Sequence, residues 1–109
     1  MDGIVFFRTQ RLDSVVDFYI DLGAETWLEQ PDCTILRAGS FRFGFCEREP
    51  AETEGILTFV VDDRAAVDEL YSELEAVATV EPRFNADYGI YQFFAEDPEG
   101  RTVEVQVFE

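Results

Sequence analysis

Tyr91-Gln-Phe-Phe-Ala-Glu-Asp-Pro-Glu-Gly-Arg-Thr-Val-Glu-Val-Gln-Val-Phe-Glu109 is the stretch on which the fold turns. Two apolar runs flank Asp97-Pro98-Glu99-Gly100. Proline presets φ for the second position of a tight turn, and glycine supplies the positive φ that closes it. The stretch therefore reads as a β-hairpin. Its outgoing strand alternates, with Val103, Val105 and Val107 on one face and Thr102, Glu104 and Gln106 on the other. Glu104 then sits mid-strand on a polar face that either meets solvent or lines a cleft.

The rest of the chain repeats a simple plan. Gly3 to Thr9 is an apolar strand. Asp13 to Gly23 reads as a short amphipathic helix, with Asp13 as N-cap, Val15, Tyr19 and Leu22 at helical spacing, and Gly23 as the stop. Ala24 to Gln30, Cys33 to Ala38 and Phe41 to Glu47 follow as strands. Gly39-Ser40 between the last two favours a two-residue hairpin turn, in which opposed residue numbers sum to 79. That register sets Phe41, Phe43 and Phe45 on a face that buries against a helix. It sets Arg37 opposite Arg42, Ile35 opposite Gly44, and Cys33 opposite Cys46 on the other.

A polar stretch from Glu47 to Gly55 separates this half from the next. Ile56 to Val61 is a strand, and Asp62 or Asp63 caps a helix carrying Val67, Leu70, Tyr71 and Leu74. Val77 to Glu81 reads as a weak strand, Pro82 to Tyr88 as a loop, and the opening hairpin completes the order. Strand, helix and three strands thus occur twice, at a period of roughly 52 residues from Ile4 to Ile56. The expected organisation is one domain, 1–109, with module one at 1–48, a linker at 49–54 and module two at 55–109.

Bulk composition narrows the function classes. With 109 residues, 47% of them hydrophobic and 11 of them Phe, the chain is globular and long enough for a real core. It has no apolar run long enough to cross a membrane as a helix and no secretory leader, which points to the cytoplasm and to reduced thiols at Cys33 and Cys46, though the two, if opposite, could form a cross-strand disulfide on oxidation. The balance of 24 acidic against 8 basic side chains, all Arg, gives a formal charge of −16. Charge of that size disfavours the compact state unless salt screens it, so the chain reads as halophilic, adapted to a salty cytoplasm. It also opposes nucleic-acid phosphates, and neither nucleic acid nor membrane is expected as a partner. Histidine is absent, which excludes Ser-His-Asp and Cys-His nucleophile systems.

The element order and two local signatures resemble the vicinal oxygen chelate superfamily, the glyoxalase/bleomycin-resistance/extradiol-dioxygenase group. One signature is Val-Val-Asp-Phe-Tyr-Ile-Asp-Leu-Gly23 after the first strand. The other is Asp97-Pro-Glu-Gly-Arg-Thr-Val-Glu104, similar to that group's terminal Asp-Pro-Asp-Gly-Asn-x-x-Glu. The resemblance implies an α+β fold of two βαβββ modules whose mixed sheets curl into a cup, with helices outside, a ligand cleft within, and a homodimer. It also implies that the face of Glu104 lines the cup. In metal-dependent members four strands each supply a ligand, typically His or Glu. The matching positions here are Ile4, one near Gly44 on the face of Arg42 and Cys46, Ile56 and Glu104, of which only Glu104 keeps a ligand type. One carboxylate cannot hold a transition metal, so no metal and no cofactor are expected.

The candidate ligand-binding residues are Phe6, Arg37, Arg42, Cys46, Tyr91, Phe93 and Glu104. Arg37 and Arg42, side by side, repel each other unless an anion or an acid lies between them, which makes them a candidate clamp for a carboxylate or phosphate. The alternative is that one turns outward to a surface acid. Phe6, Tyr91 and Phe93 would be aromatic walls, or else plain core. Glu104 is the candidate catalytic base if apolar neighbours raise its pKa, and otherwise pairs with an arginine such as Arg42. Three functions follow: a metal-free protein binding a small anionic or aromatic molecule; a glyoxalase-type lyase or isomerase using Glu104 as base or metal ligand; or a dimerising module with a vestigial site.

Overall fold

A computed structural model describes all 109 residues. The chain divides into two compact units, Met1–Thr53 and Glu54–Glu109. Each holds one helix and one four-stranded mixed sheet.

In the first unit the elements are β1 (Val5–Thr9), α1 (Leu12–Leu22), β2 (Glu25–Glu29), β3 (Cys33–Ala38) and β4 (Phe41–Glu47). The strands lie in the order β1-β4-β3-β2. β1 runs parallel to β4, and the other pairs are antiparallel. The β3–β4 hairpin has the register that the Gly39-Ser40 turn dictates: Leu36 faces Phe43, Arg37 faces Arg42, and Cys33 faces Cys46. One face of the sheet carries Leu36, Phe43 and Phe45, and α1 lays Val15, Tyr19 and Leu22 among the buried residues beside them. The Tyr19 ring stacks on Phe45 at 5.3 Å and meets Phe43 edge-on at 5.3 Å. Such aromatic pairs add about 0.5–1.5 kcal/mol each beyond their burial.

α1 begins one residue before the expected cap. Arg11 occupies the N-cap position without a side-chain cap, and Asp13 lies in the first turn. Thr9 Oγ1 takes the Arg11 amide at 3.0 Å instead, so Asp13 acts through its charge near the positive helix end rather than as a cap.

The second unit repeats the plan with β5 (Ile56–Val60), α2 (Arg64–Leu74), a single 3₁₀ turn (Glu75–Val77), β6 (Ala78–Asn85), β7 (Ile90–Glu96) and β8 (Thr102–Phe108). Their order is β5-β8-β7-β6, with β5 parallel to β8. Asp63 caps α2, accepting from the Ala66 amide at 2.8 Å. β6 overturns the expectation of a short strand and a long loop, because it runs on through Pro82 to Asn85. It lies at the edge of its sheet, where one missing amide donor is tolerated, and register shifts on either side of Val80 absorb the proline.

The hairpin connection is one residue longer than Asp97–Gly100. Asp97 Oδ1 accepts from the amides of Glu99 at 2.8 Å and Arg101 at 3.0 Å, and the Asp97 amide donates to the Arg101 carbonyl at 3.0 Å. Gly100 has φ of 86°, as the turn requires. Arg101 thereby belongs to the turn, and Glu96 pairs with Thr102.

At the far end of β8, Arg64 of α2 donates to both Glu109 carboxylate oxygens at 2.6 Å. That hydrogen bond holds the Glu109 carboxyl below its ordinary value. A depressed carboxyl stabilises the fold above its unfolded pKa, and the contribution disappears as pH falls through the folded one. An NMR titration of the Glu109 side chain should show its midpoint moving up toward the ordinary value in Arg64→Ala. An unchanged midpoint would remove the ion pair from the account.

Candidate functional site

β8 places Glu104 at the centre of the second sheet, opposite Phe94 on β7 and beside Thr58 on β5. The residue is 8% exposed. Burial of a carboxylate requires donors, and two side chains supply them. Thr58 Oγ1 donates to Oε1 at 2.7 Å, and Gln92 Nε2 donates to Oε2. Asn85 Nδ2 in turn donates to Gln92 Oε1 at 2.9 Å, which fixes the orientation of that amide. Four side chains from β5, β8, β7 and β6 thus form a continuous polar chain on one face. Gln106, opposite Gln92, extends it; its Oε1 is buried and accepts no hydrogen bond.

Of these residues only Glu104 was singled out from sequence. The signal for the others was present, since Thr58 is the one hydroxyl in Ile56–Val61 and Gln92 interrupts the apolar run Tyr91–Phe94.

Of the two readings for Tyr91 and Phe93, aromatic walls or plain core, the structure favours core, because neither shares the face of Glu104. Phe93 pairs with Val105 and Tyr91 with Val107, so both lie on the valine side. Phe93 is fully buried and meets the Tyr71 ring of α2 at 5.4 Å. The Tyr91 hydroxyl donates to Asp68 Oδ1 at 2.7 Å, and that hydrogen bond pushes its pKa above the ordinary value. The Arg64 guanidinium lies over the Tyr91 ring, 4.4 Å from its centre. The longer turn is the cause: one extra residue in a hairpin connection exchanges the faces of every residue on the incoming strand.

Phe6, Arg37, Arg42 and Cys46 do share one face, that of the first sheet. Phe6 pairs with Gly44, and a Cβ on Gly44 would stand 2.6 Å from Cε1 and 2.7 Å from Cδ1 of the Phe6 ring. The ring thus lies directly on the backbone of one of the four positions that would carry a metal ligand.

The two arginines do not stand bare beside each other. Arg37 is bound by Glu25, with Nε at 3.0 Å from Oε1. Arg42 lies over the Trp27 ring at 4.6 Å, with Nη2 at 3.6 Å from Asp2 Oδ2, while its Nε is buried without a partner. Glu104 takes its hydrogen bonds from Thr58 and Gln92, not from an arginine.

Cys33 and Cys46 correct the expectation of free thiols, because they form a disulfide. Directly opposed residues in an antiparallel pair approach closely at non-hydrogen-bonded positions, and here the Cα atoms are 4.1 Å apart. With its sulfur so engaged, Cys46 cannot serve as a thiolate ligand.

No group of three or more Cys, Asp or Glu side chains is gathered so as to hold a metal ion. No helix is long and apolar enough to cross a membrane.

Comparison with known proteins gives a consistent answer at the level of fold. No protein-family model and no curated protein matches the sequence. Among solved structures, a glyoxalase/bleomycin resistance protein/dioxygenase family enzyme from Burkholderia phytofirmans PsJN is similar over 100% of both chains, with 22% identity and a TM-score of 0.87. A lactoylglutathione lyase from Agrobacterium tumefaciens is similar over 98% of this chain and 92% of its own, with 24% identity and a TM-score of 0.79. A glyoxalase/bleomycin resistance protein from Albidiferax ferrireducens T118 is similar over 98% of each chain, with 18% identity and a TM-score of 0.79.

Proposed function

This chain has the fold of the glyoxalase/bleomycin resistance/dioxygenase proteins of the vicinal oxygen chelate superfamily, and on that premise we propose that it binds a small organic molecule without a resident metal. The observation that carries the reading is the state of Glu104. Each of its oxygens already accepts a hydrogen bond from the protein's own Thr58 or Gln92. Those donors orient the carboxylate for recognition.

The donor set does not fit a divalent ion. Ile4 and Ile56 have no ligand atom, Gly44 has no side chain, and Phe6 covers it. Three or four protein donors are needed for useful affinity. Binding in the manner of the bleomycin-resistance proteins asks only for a shaped surface with a few oriented polar groups, and the Asn85–Gln92–Glu104–Thr58 chain supplies these.

Elemental analysis of protein purified without chelators tests the reading. We expect well below one equivalent of any divalent transition metal, and a melting temperature unmoved by EDTA. A stoichiometric ion released by EDTA with loss of stability would overturn it.

A further inference from the structure

The polar row of β8 contains an acceptor that the protein leaves without a donor. Gln106 is 9% exposed, and its Oε1 is sealed from solvent with no hydrogen-bond partner. Two residues earlier on the same face stands Glu104. Alternate residues of a strand lie about 7 Å apart, roughly twice an N–H···O distance. A carboxylate has room for about four hydrogen bonds, and the side-chain donors Thr58 and Gln92 use two.

The surroundings are apolar. Phe94 lies opposite Glu104 and Val60 beside Gln106. Ile56 and Val60 on β5 are 57% and 59% exposed, leaving a bare apolar rim next to the polar row.

We propose that this row recognises a small amphipathic ammonium, whose N–H groups bridge the Glu104 carboxylate and the Gln106 carbonyl while its apolar body lies against Phe94, Ile56 and Val60. The inference rests on the small-molecule reading above and names its ligand class. An ammonium brings three donors and no acceptor, matching a row of acceptors that carries one negative charge. A hydroxyl brings one donor and no charge, and a carboxylate brings only repulsion. The terminal torsion of glutamine is soft, so the Gln106 carbonyl can swing toward a nitrogen seated at Glu104. The Phe94 ring adds the attraction of an aromatic face for a cation. The formal charge of −16 raises the local concentration of cations around the whole molecule.

Three probes of one shape separate these chemistries: phenethylammonium, 2-phenylethanol and 3-phenylpropionate, titrated into the full chain in 0.5 M KCl and followed by amide NMR shifts and calorimetry. We expect phenethylammonium to shift β7 and β8 amides and to bind about tenfold or more tightly than the alcohol. Glu104→Gln should remove that advantage, while Glu69→Gln, at an exposed acid of α2, should leave it intact. Should Glu104→Gln fail to fold, Gln106→Met preserves both donors to Glu104 and must still weaken the ammonium several-fold.

Equal or tighter binding of phenylpropionate at the same amides would overturn the ammonium assignment and leave the small-molecule reading standing. Equal weakening by Glu69→Gln would likewise overturn it, as a nonspecific charge effect. No shift on this face from any of the three probes would count against both.

Discussion

Arg101→Ala should lower the melting temperature by more than about 10 °C at neutral pH. The Arg101 side chain is fully buried, with Nη1 at 3.1 Å from Asp97 Oδ2 and 2.9 Å from Glu99 Oε1. The carboxylates are buried too, at 0% and 6% side-chain exposure. Removing the guanidinium leaves two negative charges facing each other with little water to solvate them. Breaking a buried ion pair on one side costs about 3–5 kcal/mol, a large part of the roughly 5–15 kcal/mol that holds a domain of this size together. Arg101→Lys keeps the charge but loses the planar fork, and should fall between. Thermal unfolding followed by circular dichroism decides it, and a shift within about 2 °C for the alanine variant would mean that the turn is held by its backbone and by the Asp97 side chain alone. Because this turn also sets which face of β7 meets which face of β8, the same variant should disturb the Gln92–Glu104 contact.

The second large effect expected is on salt. Between 0.1 M and 2 M KCl the melting temperature should rise by about 10 °C or more, since the screening length shrinks from about 10 Å at 0.1 M to about 3 Å at 1 M. The formal charge of −16 is not paired away. On α1 the exposed Asp13, Asp17 and Asp21 succeed one another at i, i+4 and i+8, and the last turn holds no basic residue to balance Asp21. Like charges at that spacing oppose a helix, and an acid near its C-terminus opposes the helix dipole. Asp17→Lys should therefore raise the melting temperature at low salt and flatten the salt response. A flat response in the unaltered chain would remove the reading of a protein suited to concentrated salt.

Much of the architecture was legible because local rules and global fold agree. The helical spacing of Val15, Tyr19 and Leu22 and the stop at Gly23 mark α1 within a residue at either end. The Gly39-Ser40 turn predicts the β3–β4 register pair by pair, which sets Cys33 opposite Cys46. The bond between those sulfurs was not legible in the same way. Register brings the residues together, but oxidation state depends on the chemistry around them.

The candidate site was read only in part. Alternation in β8 puts Glu104 on one face with Thr102 and Gln106, as the structure has it, but does not show the Phe94, Ile56 and Val60 that share it. The sequence leaves Tyr91 and Phe93 as either aromatic walls of a cleft or plain core, and their pairing with Val107 and Val105 puts them on the valine side. Pattern alone could not show that Arg101 would be drawn into the turn by the Asp97 carboxylate. Nor could it show that Gln92, rather than an arginine, would reach the Glu104 carboxylate.

From the sequence alone came what depends on near neighbours along the chain: the doubled strand-helix-strand order, the helix limits and the two-residue hairpin. Tertiary structure decided which side chains share a face across β5, β8, β7 and β6, and so which donors hold Glu104 and which acceptor at Gln106 is left over. The physical reason is parity. Side chains on a strand alternate with period two, so a single residue added to one turn moves a whole strand's side chains to the opposite face, and the count is settled by a buried carboxylate rather than by local propensity.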